Sequence, residues 1–240
     1  MSRTQFRHAS AVLVGALIAA LAGCASPAPP PEASPSVPAC PNPHGGSCLG
    51  PLDPGTYTTQ RFTPGITYEV PEGWANFEDL PGNFLLVPPT GSLEGVDAGT
   101  SDYIGIYTSI AALELSCTAA LAGTGRTPDE IAARLAAEPA LVVSDGGAVE
   151  VGGLDGRVLD LTLAAGGGLN CDGREDFRIV PLFIGQPPSE LEHAMIPGLT
   201  MRLYLLAYGD GTLAIEVDDA EGGANLSEYS EIADSIRFAD

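Results

Sequence analysis

The sequence predicts an α+β fold, a central antiparallel β-sheet flanked by helices, across residues 55–240. Short runs rich in β-branched and aromatic residues recur between Gly, Pro and Asp turn signals. One pair of runs, Thr200–Tyr208 and Leu213–Val217, brackets Gly209-Asp210-Gly211 as a hairpin. Two amphipathic stretches with helix-start chemistry complete the pattern, one from Thr127 and one from Asn225 or Ser227.

In chain order, Thr56–Phe62 and Ile66–Val70 read as strands, turned at Thr63-Pro64-Gly65. Pro71-Glu72-Gly73-Trp74 ends the second, and Trp74, the single tryptophan, reads as an aromatic anchor at the sheet edge or as a ligand-stacking ring. Asn83–Val87 is the next strand. Tyr103–Ile110 alternates, with Ile104 and Ile106 on one face and Tyr103 and Tyr107 on the other. Residues 88–102 between them read as a Gly/Asp loop.

Thr127-Pro128-Asp129-Glu130 predicts a helix with a capping box, ended by Pro139, with Ile131 and Leu135 facing the core. Leu141–Ser144, Ala148–Val151 and Gly156–Leu163 read as a meander turned at Asp145-Gly146-Gly147 and Gly152-Gly153. Residues 164–180 read as a polar Gly-rich loop. The last helix places Tyr229, Ile232, Ala233 and Ile236 along one side.

Residues 1–23 have the layout of an export leader: Arg3 and Arg7, then an apolar run from Ala11 to Leu21. That run is shorter than the roughly 20 apolar residues a spanning helix needs. Leu21-Ala22-Gly23-Cys24 reads as a lipobox, with Cys24 as the acceptor of a diacylglycerol. In this it resembles bacterial lipoprotein precursors. The resemblance implies cleavage before Cys24 and a membrane anchor of two or three acyl chains, palmitate among them, on the extracytoplasmic face of the cell membrane. Residues 24–54 then form a Pro-rich tether that favours extended polyproline II.

Loss of Arg3 and Arg7 takes the formal charge from −21 to −23, 31 acids against 8 arginines, and there is no lysine. This argues against nucleic acid and anionic headgroups as partners, because phosphate binding needs clustered cations. In an exported chain the four remaining cysteines pair, with three connectivities open. Cys40–Cys48 as a local loop with Cys117–Cys171 as a long-range bridge is the expected pattern. A metal site at Cys40, His44 and Cys48 is the functional alternative.

No catalytic constellation is evident, so the sequence does not read as an enzyme. Beyond the leader only His44 and His193 could serve as a base, and His193, in Glu190-Leu191-Glu192-His193, reads as a surface residue. No phosphate loop or dinucleotide motif is present, and no cofactor is expected. Asp218-Asp219-Ala220-Glu221 and Asp172–Asp176 read as solvated acidic turns rather than Ca²⁺ sites. Paired carboxylates of a hydrolase remain an alternative, with no pair singled out.

Several segments together resemble actinobacterial secreted and lipoprotein domains of unknown biochemical role. They are Cys40…Gly45-Gly46…Cys48, Thr67–Asn76 with its Pro71-Glu72-Gly73-Trp74, Gly152–Gly156, and the closing Ile232–Phe238. The strand, Pro-x-Gly-Trp and final helix pattern is also similar to the wider PsbP-like fold. The resemblance implies an α/β/α sandwich used for binding or assembly, and supplies no catalytic, metal or partner residues. The expected function is thus a non-catalytic envelope module for a small hydrophobic ligand or an envelope protein, with a purely structural interaction domain as a further alternative. The first place for a ligand is a concave sheet face rimmed by residues 88–102 and 164–180, with Trp74, Tyr103 and Tyr107 as candidate contacts.

Overall fold

The apolar alternation of the hairpin at residues 200–219 sets the centre of one large sheet, because both of its faces are buried. The computed structural model describes residues 49–98, 100–113, 125–170, 178–185 and 192–239, all within one compact unit, Pro38–Asp240. The chain runs β1 (Gly50–Pro51), β2 (Gly55–Thr58), β3 (Ile66–Val70), β4 (Ala75–Leu80), β5 (Asn83–Val87), α1 (Leu93–Ala98), β6 (Tyr103–Ala112) and α2 (Pro128–Ala136). It continues through β7 (Leu141–Val151), β8 (Leu154–Leu163), β9 (Val180–Gly185), β10 (Glu192–Met195), β11 (Thr200–Tyr208), β12 (Gly211–Asp219), α3 (Leu226–Ser235) and β13 (Arg237–Phe238). Among the described residues no helix is long and apolar enough to cross a membrane.

The main sheet is antiparallel in the order β1-β4-β5-β6-β12-β11-β8-β7, and a small sheet β13-β3-β2 lies apart. Where β5 ends, with Asn83 opposite Tyr107, β9 takes up pairing with β6 at Ile110–Ala112, and β10 pairs with β9. Alternation along each strand divides the core in two. Ile104, Ile106, Leu213, Ile215 and Val217 join α3 and the small sheet on the first face. Tyr107, Leu159, Met201, Leu203 and Leu205 join α2 and the β9–β10 hairpin on the second. The fold is therefore an antiparallel-sheet α+β domain. Its flanking layers are only partly helical, with one principal helix and strand pieces on each face.

Several sequence expectations shift for local reasons. The second half of Thr56–Phe62 leaves the strand, because the Asp79 carboxylate accepts the backbone N–H groups of Gln60, Arg61 and Phe62 at 2.8–3.1 Å. Packing begins at Gly50, ahead of the expected boundary near Gly55, because Leu52 is buried in the first core. The Asp145-Gly146-Gly147 turn is instead a bulge inside the continuous strand β7, with Gly147 at φ +90° donating to Asp145 Oδ1 at 2.8 Å. Residues 88–102 contain α1, and β4, β9, β10 and β13 were not anticipated.

The capping box of α2 forms: Thr127 Oγ1 accepts from Glu130 N, and Glu130 Oε2 accepts from Thr127 N at 3.1 Å. At α3 Asn225 holds the cap position without a side-chain cap bond, and its own N–H is fixed by Asp219 Oδ2. Cys24, Cys40, Cys48, Cys117 and Cys171, together with His44, the leader and Asp172–Asp176, lie outside the described residues.

Candidate functional site

Two bulges aim polar side chains into the second face. Between Asn76 and Glu78 the β4–β5 register shifts, leaving Phe77 as the extra residue. The Asn76 amide holds the kink by donating to the carbonyls of Glu78 and Leu85 at 3.1 and 3.0 Å. Phe77 and Glu78 both consequently line the second face. In β6, Ser109 at φ 55° sits in a second bulge, between the Tyr107–Ala214 and Ile110–Thr212 pairs. A regular strand would turn Ile110 away from Tyr107; the extra residue keeps both on the second face.

Over this region α1, its following loop and the β10–β11 turn enclose a cavity of about 570 Å³, a size typical of small-molecule sites. Its floor carries Asn83, Tyr103, Tyr107 and Asp218; Val96, Ile196 and Leu199 supply apolar wall. The α1 side is pinned rather than free. Asp102 accepts from Thr90 Oγ1 at 2.8 Å, from Tyr229 Oη at 3.0 Å and from Ala220 N at 2.7 Å. These bonds tie the loop to α3 and to the end of β12.

Beneath the floor lies a dense polar cluster. Tyr103 Oη donates to Glu216 Oε1 at 3.0 Å. His193 Nδ1 is 2.8 Å from Glu216 Oε2, close but not aligned as a well-formed hydrogen bond. The imidazole is stacked on Phe183, centroids 4.5 Å apart and planes 16° off parallel, and abuts the Tyr107 ring at 3.9 Å. Tyr107 lies back over Gly105: a Cβ there would meet the phenol oxygen at 1.9 Å, so only glycine admits this pose. Asn83 donates its amide to Glu78.

Burial, with Glu216 adding, pushes the Asp218 carboxyl well above the usual carboxylate range. Burial, reinforced by Asp218 and Glu216, likewise raises Tyr103 well above the ordinary phenol value, and Tyr107 follows with Glu216 ahead of Asp218. Both phenols are neutral hydrogen-bonding groups near neutral pH. Among the described residues no arginine lines the cavity. Among the described residues no group of three or more His, Cys, Asp or Glu is placed to hold a metal ion.

The expected contacts separate. Tyr103 and Tyr107 line the cavity, but Trp74 is buried in the first-face core, edge-on to Tyr229 at 5.5 Å, and cannot reach a ligand on the second face. Residues 88–102 contribute one rim, as Val96, Thr100 and Ser101. The other rim is Glu192–Leu199, whereas residues 163–167 line a separate shallow depression. His193, expected at the surface, is buried because β10 folds onto β9 and sets it against Phe183. The Asp218-Asp219 turn is split: Asp218 faces the cavity, while Asp219 accepts Glu221 N at 2.7 Å and Asn225 N at 2.5 Å.

Sequence reasoning does not single out Asn83, Glu78 or Glu216, and its readings of His193 as a surface residue and of Asp218 as a solvated turn are corrected by their burial. One signal was present for two of them. In Leu213–Asp218, acids occupy the positions that alternate with Ile215 and Val217, which is unusual in a strand buried on both faces.

These features define a class: an antiparallel-sheet α+β domain with a ligand-sized cavity on one sheet face. No family model matches the chain, and no curated protein matches it. Among solved structures it is similar to the solution structure of cyanobacterial PsbP (CyanoP) from Synechocystis sp. PCC 6803, with 12% identity and a TM-score of 0.38 over 81% of this chain and 98% of that chain. A likeness that loose carries no argument, and the site rests on its own geometry.

Proposed function

We propose that the chain is a cell-envelope lipoprotein, anchored through Cys24 on the extracytoplasmic face of the membrane, whose α+β domain is a non-catalytic module that holds a small ligand. On this reading the domain is a PsbP-like sandwich in which one sheet face is the binding face. The observation that carries the binding role is the second-face cavity, apolar in its walls and polar at its floor, as small-molecule sites are. The leader and Leu21-Ala22-Gly23-Cys24 support the anchor, and Cys40–Cys48 with Cys117–Cys171 are the disulfides expected in that compartment.

Native mass spectrometry of the full-length chain, expressed with its leader and released from membranes in mild detergent, tests both halves. The expected protein mass begins at Cys24, carries the lipid increment, and is accompanied by a further noncovalent mass. An uncleaved or unacylated chain overturns the anchor. A bare domain mass overturns stable ligand carriage and moves the assignment to an envelope protein partner, sought by cross-linking.

A second reading has one observation in its favour. His193, with Nδ1 toward Glu216 and Nε2 unbonded, has the base-and-orienter half of a hydrolytic site. Among the described residues the only serine lining the cavity, Ser101, already accepts from Ser92 N at 2.8 Å and donates to the Asp102 carbonyl at 2.9 Å. Binding therefore accounts for more of the site than turnover does.

A further inference from the structure

The cavity holds polar atoms that the protein itself leaves without partners. Asn83 Oδ1, His193 Nε2 and Asp218 Oδ1 are all buried and have no hydrogen-bond partner among the described residues. Their residues are 2 %, 8 % and 2 % exposed, and all three line the same cavity. Leaving a buried polar atom unpaired is costly, and three such atoms line this one cavity.

Their chemistry is one-sided. Asn83 already spends its amide N–H on Glu78, leaving its oxygen as an acceptor. His193 turns Nδ1 toward Glu216 Oε2 at 2.8 Å, and in the neutral ring with its proton on that nitrogen Nε2 is a lone-pair acceptor. Asp218 presents an unpartnered carboxyl oxygen, and a cation beside it would favour the carboxylate over the protonated form that burial and Glu216 favour in the empty cavity. A partner for this set must bring donors.

Charge narrows the class further. Among the described residues, the charged or chargeable groups around the cavity are Glu78, Glu192, Glu216, Asp218 and His193, with the two phenols, and none is an arginine. An anion would be desolvated against carboxyl groups with no described arginine lining the cavity to compensate it. A cation would gain from the carboxyls, in a cavity that Tyr103, Tyr107 and Phe77 also line. Apolar wall beyond the floor, from Val96, Ile196 and Leu199, suits a hydrocarbon or aromatic body.

We infer that the cavity takes an organic ammonium ion, a protonated amine on an apolar or aromatic body, whose N–H groups meet the acceptors of Asn83, His193 and Asp218. This rests on the reading of the cavity as a ligand site and specifies the ligand class.

The test is isothermal titration calorimetry of the full-length chain in nonionic detergent near neutral pH. Three probes of one shape are compared: phenethylamine, phenethyl alcohol and phenylacetate. The expected result is binding of the amine, roughly ten- to a hundredfold weaker binding of the alcohol, as the loss of a charged hydrogen bond implies, and no binding of phenylacetate. Asp218→Asn, which keeps the side-chain shape, is expected to weaken the amine at least about tenfold and to leave the alcohol unchanged. Alcohol or phenylacetate binding as tightly as the amine overturns the inference, and so does an Asp218→Asn chain that binds the amine as the parent does. The probe series on the unaltered chain decides the matter even if the variant fails to fold. If none of the three binds while mass spectrometry shows a carried molecule, the ammonium assignment falls and the binding module stands. If the mass is also bare, both fall.

Discussion

The two faces of the main sheet use the same strands and reach opposite results. On the first face Trp74, Tyr229, Tyr57, Tyr68 and Phe84 interlock at centroid distances of 5.0–5.9 Å, and the hydroxyls at the margin of that packing find partners. On the second face the α2 end is packed equally well, around Leu161, Leu203 and Phe183. At its other end two bulges and a pinned loop hold space open around buried carboxyls. A sheet buried on both sides can thus keep one face purely structural while the other gives up packing to host a polar cavity. The lesson is that aromatic content does not mark a site: the largest aromatic, Trp74, belongs to the filled face.

The difference can be broken from either side. Trp74→Ala should cost about 3–5 kcal/mol, the largest effect, because it empties a closed core. Denaturant unfolding checks this, and any probe binding should persist wherever the domain remains folded. Phe77→Ala, a half-buried cavity wall, should do the reverse, lowering amine affinity with far less loss of stability.

Gly105→Ala comes next. The added Cβ would collide with the Tyr107 phenol, so the ring must move into the cavity, at a cost of about 1–3 kcal/mol with loss of probe binding. Thermal unfolding and calorimetry on the same sample report both.

Asp218 sharpens the comparison through pH. Its folded-state pKa is raised, by burial first and Glu216 second, so the folded chain holds a proton that the unfolded chain has released. The stabilisation from that proton is complete below the ordinary carboxylate range and is lost as pH rises through the raised value. Asp218→Asn, which behaves as a permanently neutral carboxyl, should match the parent in acid and exceed it in stability near neutral pH. Melting temperatures across that range test the sign, and a variant less stable at neutral pH contradicts it. The smallest effect is expected at Thr127→Ala, about 1 kcal/mol from loss of the α2 cap, with probe binding unchanged because α2 packs away from the cavity.

How much was legible follows from the range of each interaction. Ile66–Val70, Asn83–Val87 and the 200–219 hairpin declare themselves by composition and turn chemistry, and the structure forms them at those positions. Thr127 and Glu130 sit three residues apart and signal the α2 start directly. By contrast β9 and β10, though followed by Pro187-Pro188 and Pro197-Gly198, are too short to declare themselves by alternation; β9 pairs along the β6 edge left free beyond Asn83, and β10 pairs with β9. His193 went from an expected surface position to a buried one for that reason alone.

From the sequence alone come the α+β class, the hairpin and helix starts, the acidic balance and the expectation of an anchored, exported chain, because all of these depend on neighbours in the chain or on composition. Tertiary structure decided the rest. It placed Trp74 in the core and Tyr107 over Gly105, and gathered Asn83, His193, Glu216 and Asp218 from three strands around one cavity. Contacts between strands more than a hundred residues apart depend on bulges and register, and no local pattern in the chain encodes those.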